Sequence, residues 1–325
     1  GRDSLILQGV IGNRIIPGGL EGFVFVDTNG DGVQDPGELP FAAATVGYVS
    51  PCGDDASGLT AVDGTVLWLN RCVGDYTVNL TTPVGYAATT PVSVSATVTS
   101  SVTSRVVFGI QGRGVLVAAK FEDRNGNGVQ DPGEGPLDGV TMTYAGALGD
   151  GAGVTAGGRV VWTNVAAGSY VVSEVVPVSA RATTPTSATV TLAPGGVVTT
   201  TFGNQLLGSL VARVFEDAND NGAWEVGEPP LAGVTVTWTN EFGGSAVGVT
   251  PASGILTWTA QPVGGYTVVQ GVLPNYVATT PVTRTTTVVV NTTAVVDFGQ
   301  RQSTRCVEGQ KIDDDHVGLP GWEIR

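Results

Sequence analysis

The stretch Asp27-Thr-Asn-Gly-Asp-Gly-Val-Gln-Asp-Pro-Gly-Glu38 carries oxygen side chains at positions 1, 3, 5, 9 and 12 and glycine at position 6. That is the ligand spacing of a twelve-residue calcium loop, in which a hard cation is wrapped by oxygens. Asp27, Asn29, Asp31 and Asp35 are predicted to supply side-chain oxygens, Asp35 directly or through water. The Val33 carbonyl would fill position 7, and Glu38 would close the site with both oxygens. Gly32 permits the sharp turn that gathers these groups. The loop returns with Asp123, Asn125, Asn127, the Val129 carbonyl, Asp131 and Glu134. It returns again with Asp217, Asn219, Asn221, the Ala223 carbonyl, Glu225 and Glu228. An Asp/Asn/Gly-rich turn between strands is the bland alternative, and three copies in register argue against it. Magnesium suits such all-protein cages less well.

The flanking elements decide what kind of calcium protein this is. Gly22-Phe-Val-Phe-Val26 precedes the first loop and Ala44-Thr-Val-Gly-Tyr-Val49 follows it. Both are rich in β-branched and aromatic residues and read as strands. An EF-hand needs a helix on each side of its loop. A dockerin places such loops in close pairs, each followed by a helix. Neither pattern fits.

Other landmarks repeat with the loops. The loop-opening aspartates 27, 123 and 217 are 96 and 94 residues apart. Trp68, Trp162 and Trp258 are 94 and 96 residues apart, as are Tyr76, Tyr170 and Tyr266. Thr-Thr-Pro triplets end at Pro91, Pro185 and Pro281, and Phe-Gly pairs begin at Phe108, Phe202 and Phe298. The period is too long for a solenoid unit and suits one sandwich domain. The expected repeats are 18–111, 112–206 and 207–302. Within the first, strands are expected at 22–27, 44–50, 65–69, 75–80, 92–98 and 103–109, with a variable excursion at 51–60. Trp68, Tyr76, Phe25 and Phe108 are expected to form its core. The fold class is all-β, a tandem array of antiparallel β-sandwiches.

Composition agrees. Only 14% of the 325 residues are charged and the net charge is −14, which argues against a nucleic-acid partner. Ten of the 29 acidic residues occupy proposed ligand positions, so the acidity reads as ion binding. The one histidine, His316, lies in a terminal fragment, which argues against a His-based active site. No apolar run reaches the length of a membrane span.

The ends carry pieces of domains. Residues 1–17 read as the last strand of an earlier domain, since Val10-Ile-Gly-Asn-Arg14 is similar to Thr201-Phe-Gly-Asn-Gln205. Residues 303–325 read as the first strands of a fourth domain whose loop has collapsed to Asp313-Asp-Asp-His-Val-Gly318. The chain is thus a section of a longer array, or its ends meet those of other copies by strand addition, which would build an open filament. A chain that stays monomeric at high concentration would refute the second reading.

The run from strand through Asp-x-Asn-x-Asp/Asn-Gly-x-x-Asp/Glu-x-Gly-Glu into a second strand resembles the B-type repeats of serine-aspartate surface adhesins, in the collagen-adhesin B-like superfamily. Asp63-Gly-Thr-Val-Leu-Trp-Leu69, Gly74-Asp-Tyr-Thr-Val78 and Pro83-Val-Gly-Tyr86 add to the likeness. The resemblance implies an Ig-like or prealbumin-like sandwich in an extracellular stalk on a microbial cell surface, stiffened by calcium. It names no ligand; a surface glycan or a host or matrix component is compatible with it. Some relatives carry a Lys–Asn isopeptide crosslink assisted by an acid. The second repeat offers Lys120, Asn204 and Glu174 for it, whereas Val24 and Val214 stand where Lys120 would be.

Cys52 and Cys72 flank the third strand of the first repeat and are read as a disulfide formed in an oxidising space, with two buried thiols as the alternative. Cys306 stands where Leu116 and Leu210 occur and is read as a small core residue, with an interchain bridge as the other role. Asn79-Leu-Thr81 and Asn291-Thr-Thr293 match the N-glycosylation acceptor. Two function classes follow. The first is a non-enzymatic structural fibre, filament or adhesin stalk whose partners are neighbouring domains or copies of itself. The second is a set of accessory carbohydrate-binding modules of a larger secreted enzyme, which exposed aromatics on one face would favour.

Overall fold

The computed structural model describes residues 16–303. The proposed partial units at either end, with Cys306 and His316, lie outside the described residues. The fold is all-β. The first repeat contains β1 (Gly18–Val26), β2 (Thr45–Val49), β3 (Ala56–Leu59), β4 (Thr65–Arg71), β5 (Gly74–Thr81), β6 (Tyr86–Ala88), β7 (Ser93–Val98) and β8 (Thr103–Glu122). The second adds β9 (Thr141–Gly146), β10 (Gly149–Val154), β11 (Arg159–Ala166), β12 (Gly168–Glu174), β13 (Ala180–Ala182), β14 (Ser187–Leu192) and β15 (Val197–Glu216). The third adds β16 (Thr235–Asn240), β17 (Ser245–Val249), β18 (Ile255–Pro262), β19 (Gly264–Gln270), β20 (Tyr276–Ala278), β21 (Thr283–Val288) and β22 (Thr293–Gln302). Among the described residues no helix is long and apolar enough to cross a membrane.

The chain divides into two compact units. The first runs to Lys120 and adds Pro136–Val175 and Pro185–Phe202. In it a four-stranded antiparallel sheet, β3-β2-β5-β7, faces the sheet in which β1 lies between β4 and β8. Leu20, Val24, Val46, Tyr48, Tyr76, Val78, Phe108 and Ile110 fill the space between the sheets. Alternation along each strand makes this possible, because every second side chain faces the partner sheet. Tyr76, Tyr170 and Tyr266 each donate a hydroxyl hydrogen bond to a carbonyl four residues back, Cys72, Ala166 and Pro262, which meets the one polar atom these buried rings carry. The same unit holds the sheet β10-β9-β12-β14 and its core around Met142, Val172 and Phe202.

The second unit takes Phe121–Gly135, Val176–Thr184 and the chain from Gly203. Its sandwich pairs the sheet β17-β16-β19-β21 with β15, β18, β20 and β22. Leu210, Val214, Val236, Trp238, Tyr266 and Phe298 form its core.

Four features differ from expectation. The first and last strands of a repeat pair in parallel, Val24 opposite Phe108 and Val214 opposite Phe298, so the sandwich is not purely antiparallel. Phe25 is buried but stands on the opposite face of β1 from Leu20 and Val24, stacked on Phe23 with ring centroids 6.3 Å apart. Trp68 is only partly buried at the edge of the core. The fourth difference is the largest. The last strand of the first repeat does not stop at 109 but runs on as a single 20-residue strand, β8, that is also the first strand of the second repeat. β15 does the same one repeat later.

These shared strands leave no linker at the repeat boundaries. At the first, the Arg113 amide donates to the Gly85 carbonyl of the first repeat (2.7 Å), and its carbonyl accepts from the Gly195 amide of the second (2.7 Å). At the second, Leu207 donates to Ser179 (2.8 Å) and accepts from Asn291 (2.9 Å). The first junction is also tightly packed. A Cβ on Gly112 would lie 2.7 Å from Pro194 Cγ and 3.0 Å from Ala167 Cβ. Gly112→Val should therefore overpack the junction and destabilise the chain by about 1–3 kcal/mol in urea unfolding. An unchanged midpoint would show the junction to be loose.

Candidate metal centres

Each loop follows the end of the first strand of its repeat and is folded around its opening aspartate. Asp27, Asp123 and Asp217 have no exposed surface. Asp27 accepts from the amides of Gly30 (2.6 Å) and Gly32 (2.7 Å). Asp123 accepts from Gly126 (2.7 Å), Asn127 (3.1 Å) and Gly128 (2.6 Å). Asp217 accepts from Asn221 (3.1 Å) and Gly222 (2.8 Å). Burial by itself would raise the pKa of Asp27 and Asp217. The nearby hydroxyls of Thr89 and Thr279, together with the loop amides, outweigh it and hold both carboxyls below the ordinary 3.8. The glycine at position 6 has a positive φ in every loop: +80° at Gly32, +79° at Gly128 and +74° at Gly222.

Positions 3 and 9 meet in every loop. Asn29 Nδ2 donates to Asp35 Oδ2 (2.9 Å), Asn125 Nδ2 to Asp131 Oδ2 (2.7 Å) and Asn219 Nδ2 to Glu225 Oε2 (2.8 Å). Position 5 joins them in two loops: Asn29 Nδ2 also reaches Asp31 Oδ2 at 3.0 Å, and Asn127 Nδ2 reaches Asp131 Oδ2 at 2.7 Å. In the third loop Asn221 instead accepts from the Ala223 amide at 2.8 Å. The amides of Val33 and Val129 make the same contact, to Asp31 and Asn127. Position 12 closes each loop. Glu38 accepts from Thr28 (2.6 Å) and Asp35 (3.0 Å), Glu134 from Arg124 (2.8 Å) and Asp131 (3.0 Å), and Glu228 from Ala218 (3.1 Å) and Glu225 (3.0 Å).

Among the described residues no three His, Cys, Asp or Glu side chains lie together as a preassembled metal cluster. The convergent set instead mixes acids with Asn amides. An amide offers N–H and C=O from one group, and the positively polarised nitrogen lies beside carboxylate oxygens, where a cation would be attracted. All the predicted side-chain ligands are oxygen donors, the set a hard divalent ion takes. On these two counts the residues fit calcium.

The SdrD B-like domain family matches residues 18–108. The first repeat is an SdrD B-like domain. The chain is also 28% identical to serine-aspartate repeat-containing protein F of Staphylococcus epidermidis over 256 residues, 68% of this chain and 14% of that protein. It is 28% identical to serine-aspartate repeat-containing protein D of Staphylococcus aureus (strain Newman) over 253 residues, 68% of this chain and 19% of that one. It thus spans less than a fifth of either relative's length. The solved structure of the Bacillus anthracis TIE protein aligns with 89% of this chain and 51% of its own, at 17% identity and a TM-score of 0.40. BcpA, the major pilin subunit of Bacillus cereus, aligns with 88% of this chain and 99% of its own, at 10% identity and a TM-score of 0.32.

Within the SdrD B-like domain Cys52 and Cys72 form a disulfide, with Cα atoms 6.7 Å apart. Asn79 is half-buried on β5, and Asn291 is exposed in the turn between β21 and β22.

Three buried positions distinguish the repeats. The SdrD B-like domain has Val24, Leu80 and Ile110 there, all apolar. The second repeat has Lys120 and Glu174, whose charged ends lie 2.6 Å apart with no side-chain exposure. Asn204, also without exposure, has an amide with no hydrogen-bond partner among the described residues. Burial pushes the Lys120 amine below its ordinary 10.5, and Glu174 opposes that shift. The third repeat has Val214, Gln270 and Gln300, and Gln300 Nε2 donates to Gln270 Oε1 at 2.8 Å. The sequence reading missed the glutamine pair. It stands four residues after the repeated tyrosine and two after the phenylalanine of the Phe-Gly pair, so aligning the repeats on those landmarks would have found it.

Proposed function

We propose that this chain is a non-enzymatic structural segment of a cell-surface adhesin or fibre, built of tandem SdrD B-like sandwiches that calcium stiffens. One observation carries this reading: the oxygen-bearing side chains at positions 3 and 9 converge in all three loops. When bound, calcium supplies a compact double positive charge that holds these oxygens together. Asp27, Asn29, Asp31, Asp35, Glu38 and the Val33 carbonyl would hold it in the first loop, with their counterparts in the other two. Shared strands at both boundaries favour a stalk over flexibly joined modules. The carbohydrate-binding alternative is less well supported, since the large exposed hydrophobics among the described residues are all aliphatic. The partners in this reading are neighbouring domains or other copies of the chain, and the location is extracellular.

Thermal unfolding with calcium and with excess chelator tests the ion sites. Binding to the folded state alone contributes about 2.7 kcal/mol per site at a hundredfold excess over Kd. The melting temperature should fall with chelator and recover with calcium but not magnesium. No change would reduce the loops to ordinary turns.

A covalent closure of the second repeat belongs to the same reading. The Lys120 amine, after giving a proton to Glu174, would attack Asn204 Cγ, an amide bond would form, and ammonia would leave, with Glu174 carrying the protons. The full burial of all three groups supports it, since a buried amide with no hydrogen-bond partner among the described residues, such as that of Asn204, is costly. The intact mass should then be lower by one ammonia, and Glu174→Ala should restore the full mass. A wild-type chain of full mass would rule the bond out.

A further inference from the structure

Two glutamines that no loop ligand pattern calls for sit between the calcium loops and the repeat junctions. Gln111 is 5% exposed and donates from Nε2 to the Thr28 carbonyl at 2.8 Å. Gln205 is 2% exposed and donates from Nε2 to the Arg124 carbonyl at 2.7 Å. Thr28 and Arg124 are position 2 of their loops. On its other side, the same residue's amide donates to the position-12 glutamate, Thr28 to Glu38 at 2.6 Å and Arg124 to Glu134 at 2.8 Å. One residue therefore links the carboxylate that closes the loop to a side chain on the shared strand.

The glutamines stand just before the junction. Gln111 is two residues from Arg113, and Gln205 is two residues from Leu207, the residues that bond to both neighbouring repeats. The loop backbone also packs on the amide itself. A Cβ on Gly30 would lie 3.1 Å from Gln111 Nε2, and one on Gly126 would lie 3.2 Å from Gln205 Oε1. At the second junction Arg124 adds a direct link to the third repeat: its guanidinium reaches Glu241 at 3.4 Å and lies 5.9 Å from the Phe242 ring centroid. The third repeat has Arg301 at the glutamine position, and it approaches Asp220 at 3.6 Å instead.

A buried amide that fastens a loop to a strand has a plain structural role, satisfying one carbonyl. Here it does so twice, at the same place, on a strand that continues into the next repeat. We infer that Gln111 and Gln205 are positioning residues that transmit order in the calcium loop to the junction strand, so that ion uptake stiffens the connection to the following repeat. The inference rests on the calcium reading. It requires a contiguous physical route between the two places, and the hydrogen-bond chain supplies one.

The test uses the full chain and the double variant Gln111→Met, Gln205→Met, which keeps length and removes the donor. Calorimetric titration with calcium chloride reports ion uptake. Small-angle X-ray scattering, with calcium and with chelator, reports the spread of maximum dimensions. The wild-type spread should narrow on calcium. The double variant should take up the same number of ions, with that narrowing at least halved. Gln205→Met alone keeps the first junction intact and should lose part of the effect. Equal narrowing in all three proteins, with normal ion uptake, overturns the inference and leaves the calcium reading standing. Absence of ion uptake in the wild type overturns both.

Discussion

Each loop is built around a carboxylate with no access to solvent. A buried charge is tolerated only where hydrogen bonds and opposite charge replace its water. Asp27, Asp123 and Asp217 meet that constraint with the amides of the residues three to five places on. Those bonds force the chain to curl back at once, which is why Gly32, Gly128 and Gly222 stand at positive φ. The curl aims positions 3 and 9 at each other and leaves the glutamate at position 12 to close the ring. Without the buried aspartate the other oxygen-bearing side chains of the loop would have no common point to face.

The second constraint is the shared strand. A flexible linker would let each sandwich turn freely. Here β8 and β15 serve two repeats each, and the residue at each boundary bonds to the turns of both neighbours. The sandwich itself is permissive. The same three buried positions hold apolar, ionisable or neutral amide side chains in successive repeats. What is kept is the tyrosine whose hydroxyl bonds four residues back, and the aspartate that starts the loop.

Local spacing makes the loops and most strands legible, because the spacing of Asp, Asn and Gly in a loop and the alternation along a strand are properties of nearby residues. The alternation at β5, for example, places Tyr76, Val78 and Leu80 inward. The run through Ile110-Gln-Gly-Arg-Gly-Val115 misled, because two glycines look like a strand end. They are there because the neighbouring turns approach closely, a tertiary fact. The parallel pairing of β1 with β8 was equally hidden, since it joins residues more than eighty apart. Residue type points Phe25 to the core between the sheets, and register places it on the other face. Gln111 and Gln205 look like ordinary polar residues until the loop carbonyl above them is seen.

Native mass spectrometry of the purified chain in volatile buffer with added calcium tests the central claim most directly. The account predicts three calcium ions retained per folded chain, one for each loop, and all of them lost with chelator. A folded chain that retains none at millimolar calcium would contradict it.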